Sequence, residues 1–178
     1  MENPYETPTS DPTLPGRGGI DTSSPLSPAG RFGRLSYIAW NMVLNVIGYL
    51  MLFLLGGNTI MTGADPEATM QFLATGGGMV AGVVSMLWFA VHIIFGIRRL
   101  HDVDKTGWLM LLIVIPLANL ILWIYLLVAR GTEGANRFAP HRPTPGWEKI
   151  LGYIGVGVMI LTLIIMAIGM IGMATSQM

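Results

Sequence analysis

Residues 79–108 read MVAGVVSMLWFAVHIIFGIRRLHDVDKTGW. No Asp, Glu, Lys or Arg falls between Met79 and Ile97; Arg98, Arg99, Asp102, Asp104 and Lys105 then crowd together, and at Trp108 a new apolar run begins. A helix of about 20 apolar residues crosses about 30 Å of hydrocarbon, so this stretch reads as a membrane span, a polar boundary and the start of another span. Working outward, the same pattern recurs at Leu35 to Gly56, Trp108 to Ala129 and Ile150 to Met173, each again near the length of a crossing. All twenty charged residues fall outside these four runs. Four such helices in water would lack a polar outer face. The fold expected is an all-α integral membrane protein with four apolar segments, in one helical domain over residues 31–178.

The composition agrees. Of 178 residues, 52% are hydrophobic and 11% charged, against about 25% charged in soluble domains. The chain has no cysteine, which excludes disulfide frameworks, thiolate metal sites and cysteine nucleophiles. Ten Lys and Arg balance ten Asp and Glu, so the basic excess that nucleic-acid binding needs is missing. Residues 1–30 hold six of the eleven prolines and two PxxP matches, Pro12 to Pro15 and Pro25 to Pro28. Such a stretch is expected to be a disordered tail. Without the apolar core of a signal peptide, it leaves insertion to the first helix.

Charge between the segments sets the orientation. The loop Gly57 to Gly78 carries only Asp65 and Glu67, whereas Arg31 and Arg34 precede the first segment and Arg98, Arg99 and Lys105 follow the second. Positive residues favour the cytoplasm, so the N-terminus is expected there. The loop Arg130 to Lys149 conflicts with four crossings, because Arg130, Arg137, Arg142 and Lys149 would then lie outside. A re-entrant hairpin turning near Pro116, Leu117, Ala118 and Asn119 removes the conflict but leaves turn backbone to be covered. The length of the run favours a kinked crossing.

Polar residues inside the runs are candidates for interhelical contact or for a polar path: Asn41, Asn45, Ser85, His92 and Asn119. Gly78, Gly82, Ser85, Phe89, His92, Gly96 and Arg99 share a face, and Gly78 to Gly82 is a GxxxG match suited to a homodimer. Asn41, Asn45 and Gly48 form a facing stripe, where amides as interhelical glue are the plainer expectation. Trp40, Trp108 and Trp147 stand near segment ends as interfacial anchors. In the boundary cluster, Arg98 and Arg99 offset a helix C-terminal dipole and suit anionic lipid headgroups. His101, Asp102 and Asp104, with His141, offer nitrogen and oxygen ligands for a divalent ion, with zinc the candidate cofactor, although local ion pairs are the simpler reading. Asp102 to Gly107 imitates phosphoaspartate signatures, but the chain has no doubly wound soluble domain to carry that nucleophile. Gly76-Gly77-Gly78 lacks the Lys of a phosphate loop.

Three separated motifs resemble the small bacterial inner-membrane proteins grouped as domain of unknown function 805. They are Gly30-Arg31-Phe32-Gly33-Arg34 with Tyr37, Arg98-Arg99-Leu100-His101-Asp102 with Gly107-Trp108, and Gly131-Thr132-Glu133-Gly134 with Asn136-Arg137-Phe138. The chain departs from the pattern at Leu109, where a second tryptophan is usual, and at Ala139-Pro140-His141-Arg142, where Gly-Pro-Asp-Pro is usual. The fourth segment and the tail look like additions. The resemblance implies a helical inner-membrane protein and no agreed activity. The expected function is a non-enzymatic membrane protein supporting cell-envelope integrity, binding anionic lipid or a protein partner through Arg31, Arg34, Arg98, Arg99, Asn136 and Arg137. The alternatives are a zinc-binding protein or hydrolase, and a small transporter or channel component.

Overall fold

The computed structural model describes residues 19–63 and 65–175. They form α1 (Arg34–Leu54), the short α2 (Asn58–Thr62) and α3 (Pro66–Leu73), α4 (Gly76–Asp102), a 3-10 helix (Gly107–Val114), α5 (Pro116–Val128) and α6 (Gly146–Thr175). No strand occurs among the described residues. Helices α1, α4 and α6 have the length and hydropathy to cross a bilayer, with mean hydropathies of 1.7, 2.2 and 2.7. The protein is a multi-pass membrane protein.

The third apolar run does not cross. It breaks at Ile115, where the 3-10 helix stops and Pro116 opens α5. At about 2.0 Å per residue the 8-residue 3-10 helix reaches about 16 Å, and at about 1.5 Å per residue the 13-residue α5 returns about 20 Å. Each arm therefore spans roughly half of a hydrocarbon layer about 30 Å thick. Both ends of the run lie at the C-terminus of α4. The 3-10 helix starts five residues after Asp102, and at the far end Arg99 Nε donates to the Leu126 carbonyl at 2.8 Å while Thr132 N donates to the Asp102 carbonyl at 2.8 Å. The kinked crossing expected from length is thus replaced by the re-entrant hairpin. The run is long enough to span, but the proline break and the tighter 3-10 arm fold that length in two.

Helix α1 is central. It packs on α4 and, most extensively, on α6, while α5 and α6 do not pack on one another. A Cβ on Gly152 would lie 2.8 Å from the Leu35 carbonyl and one on Gly155 2.6 Å from Ile38, so these glycines let α6 lie directly on α1, parallel to it. A core of Phe32, Tyr37, Phe95, Leu100, Met110, Leu122 and Leu126 ties α1, α4 and the hairpin together. All nine described Lys and Arg gather at the end holding the N-termini of α1 and α6, and Asp65 and Glu67 lie at the other. By the positive-inside rule the basic end is cytoplasmic.

Residues 1–18 of the expected tail lie outside the described residues. Residues 19–30 make turns against the domain, so the packed unit begins before residue 31. Asp21 N donates to the His141 carbonyl at 3.2 Å, and the carbonyls of Ser24 and Ser27 accept from Arg98 at 2.9 and 2.8 Å. Composition missed this because part of the hold is backbone acceptors for a distant guanidinium, which any sequence supplies, and the rest is the Asp21 carboxylate and the Ser23 hydroxyl, whose partners Arg31 and Arg98 only the fold brings near.

A candidate functional site of buried arginines and a membrane cleft

Each of the three motifs brings a charged or amide side chain to one point at the cytoplasmic end. Arg31, Arg98 and Arg99 are fully buried, and Asp102 and Asp21 nearly so. Asp102 is the hub: Oδ1 accepts from Arg31 Nη2 at 3.0 Å and Oδ2 from Arg99 Nη1 at 2.5 Å. Arg31 spends its remaining donors on the carbonyls of Gly134 and Thr132, at 2.6 and 2.7 Å. Arg98 reaches Ser23, Ser24 and Ser27 and pairs with Asp21 at 3.5 Å. Arg99 also donates to the Ala129 carbonyl, closing the base of the hairpin. Buried guanidiniums persist only where nearly every donor is matched, and their planar five-donor fork lets one side chain join several segments.

Two cations approach the Phe32 ring, Arg98 4.3 Å and Arg142 5.1 Å from its centroid. Arg142 forms a two-bond pair with the buried Glu148 at 2.8 and 2.6 Å, and Trp40 Nε1 donates to the same carboxylate at 2.8 Å. The start of α6 is thereby tied to α1. Burial raises the Asp21 carboxyl, but the hydrogen bonds from Ser23 and Arg31 and the nearby Arg98 outweigh it and hold the group below its ordinary value of 3.8.

The residues expected to hold a metal are not brought together. His101 stacks on Phe138 with ring centroids 4.1 Å apart, Asp102 is taken by two arginines, and Asp104 pairs with Arg137 at 3.2 Å. His141 lies exposed. Among the described residues no group of three His, Asp or Glu stands ready for a metal ion. Of the residues expected at the lipid boundary, Arg31, Arg98 and Arg99 turn inward, and Asn136 is an internal brace that donates to the His101 carbonyl at 2.6 Å. Arg34 and Arg137 are exposed.

The intramembrane polar residues do not bridge helices. Asn41 and Asn45 donate to the carbonyls four residues back, at 2.7 and 2.8 Å, and His92 Nδ1 lies 2.9 Å from the Trp88 carbonyl. The glue expected of them is replaced by bonds within their own helices, because the i−4 carbonyl is within reach of a short amide. Asn41, Asn45, His92 and Asn119 nevertheless line one cleft of about 730 Å³ bounded by α1, the hairpin and α6. Ser85 lies apart, beside Gly48 and Trp88. Gly78 is covered by Phe72 and Leu73 of its own chain, and Gly82 is open. Sequence reasoning missed Asp21 and Glu148 as partners. For Glu148 the signal available was an acidic residue just ahead of a membrane segment; Asp21, in the proline-rich stretch far from any segment, carried none.

Residues 25–140 match the model of a family described as "Protein of unknown function (DUF805)". The chain belongs to this family. The match takes in the arginine cluster and the hairpin and stops before α6. Two curated relatives of this DUF805 protein are each called inner membrane protein YhaH, from Escherichia coli strain K12 and Escherichia coli O157:H7. Each is 33% identical over 112 residues, which cover 62% of this chain and 83% of the relative. No solved structure matches the chain. The names of these relatives, with three helices long and apolar enough to cross a bilayer, place it in the bacterial inner membrane.

Proposed function

We propose that this DUF805 protein is non-enzymatic and supports the cell envelope by holding anionic lipid headgroups at its cytoplasmic rim. The observation that carries this reading is the division of its cations. Arg31, Arg98 and Arg99 are sealed inside, whereas Arg34, Lys105, Arg130, Arg137 and Lys149 are exposed around the same end. Exposed Lys and Arg beside the cytoplasmic leaflet attract anionic lipid by about 1 kcal/mol each. The inward arginines build the platform, and the outward ones face the headgroups. The test is replacement of Arg34, Lys105, Arg130 and Lys149 by Gln, followed by measurement of anionic lipid co-purified with the protein and of cell survival in detergent. Loss of both is expected; unchanged lipid content and survival would overturn the reading.

Self-association through the open Gly82 face of α4 belongs to the same proposal. Gly82→Leu is expected to reduce the oligomer size measured in detergent, and an unchanged size removes that part.

A further inference from the structure

The cleft between the hairpin and α6 has no role in the rim reading, and its chemistry is distinct. Its walls contain no Asp, Glu, Lys or Arg, and they are mostly apolar, with Tyr37, Tyr49 and Trp123 among them. Its polar groups cluster by depth. Asn45 lies eleven residues past Arg34, Asn119 ten before Ala129 and His92 ten before Asp102, which at about 1.5 Å per residue places all three about 15 Å below the cytoplasmic end. The contacts of Gly152 with Leu35 and of Gly155 with Ile38 set Thr162 level with Asn45. This is the middle of the hydrocarbon layer, where an unmatched polar group is costly. Because α5 and α6 do not pack on one another, the cleft is open toward the lipid.

The free hydrogen-bonding groups describe an occupant. A carbonyl only accepts, so His92 Nδ1 carries the hydrogen shared with the Trp88 carbonyl, and in the Nδ1–H tautomer Nε2 is the ring's acceptor. Asn41 and Asn45 each use one amide hydrogen on their own helix and keep Oδ1 and the second hydrogen. Asn119 keeps its whole amide. A fitting ligand is uncharged, enters from the bilayer, donates a hydroxyl to His92 and offers a second oxygen to the amides. A saturated acyl chain leaves these groups unmatched, and a phospholipid or diacylglycerol carries its oxygens at the interface rather than at mid-depth.

We propose that this cleft binds a prenylated quinol, with the ring among Asn41, Asn45, His92 and Asn119 and the chain leaving through the gap between α5 and α6. The proposal is independent of the rim. In nanodiscs of neutral phosphatidylcholine, where headgroup attraction is silent, the full chain is titrated with a decyl-substituted benzoquinol and with its oxidised quinone, reading tryptophan fluorescence. Saturable quenching is expected, lost in Trp123→Phe, and tighter for the quinol because only it donates to Nε2. Asn119→Leu and His92→Phe are each expected to weaken binding about ten-fold, while Ser85→Ala, outside the cleft, leaves it unchanged. Absence of saturation overturns the proposal, as does equal affinity in all variants. Equal displacement of the quinol by diacylglycerol, or crosslinks from Trp123→Cys showing a second copy seated in the cleft, overturns it too.

Discussion

At the scale of single residues, Asp102 is the carboxylate on which two of the buried arginines meet. It compensates two fully buried guanidiniums, and its backbone carbonyl accepts from Thr132. Asp102→Ala leaves Arg31 and Arg99 buried without their carboxylate, a class of change costing about 3–5 kcal/mol. The expected result is loss of folded protein after detergent extraction, read by thermal aggregation. Gly131 lies so close that a Cβ there would overlap Asp102 Oδ2, and Gly131→Ala is expected to cost about 1–3 kcal/mol for that overlap. Asp21 offers a pH test. Its folded value is depressed, so the stability it contributes is present above the ordinary carboxylate value and is lost as pH falls through the lower folded one. Residues 19–30 are therefore expected to exchange amide hydrogens faster below about pH 4, and Asp21→Asn to exchange fast already at neutral pH. Equal exchange in both proteins across the range would remove Asp21 as the fastener.

Among elements, the hairpin and α6 differ in how far their sequences reveal them. The hairpin was legible in charge: only a return to the cytoplasm keeps Arg130, Arg137, Arg142 and Lys149 inside, and Pro116 marks the break. Length argued for the other topology because an apolar run counts the same whether it is straight or folded in two. Spacing placed Asn41, Asn45 and His92 on facing stripes, yet each bonds back to its own helix, since a side chain's partner depends on distances that periodicity does not carry. The direction of Arg98 and Arg99 was likewise hidden. An arginine at a helix C-terminus serves a headgroup or a buried carboxylate equally well until the fold brings Phe32, Ser23 and Asp102 beside it. Helix α6 lies beyond the family match, but its seat on α1 uses Gly152, Gly155 and the Glu148 bonds to Arg142 and Trp40. Glu148→Ala strips the buried carboxylate that both partners share, and is expected to free α6. The check is faster proteolytic release of a C-terminal fragment from detergent-solubilised protein.

For the molecule as a whole, the basic end carries nine described Lys and Arg against five described Asp and Glu, and the opposite end only Asp65 and Glu67. That separation aligns the chain in the membrane more firmly than any one loop, because each Lys or Arg resists translocation and the weak acidic end does not. With three crossings and a hairpin, the N-terminus is cytoplasmic and α6 ends on the far side. The absence of cysteine makes this directly testable. Single substitutions Asp65→Cys, Lys105→Cys, Ala135→Cys and Thr175→Cys are probed in spheroplasts with a membrane-impermeant maleimide. Positions 65 and 175 are expected to label at once, and positions 105 and 135 only after permeabilisation. Ala135→Cys is the decisive member, for it follows the hairpin and precedes α6. If it labels from outside, the third run crosses, the cations of the last loop lie in the periplasm, and the arginine cluster joining Arg31, Asp102 and Thr132 cannot form in the membrane.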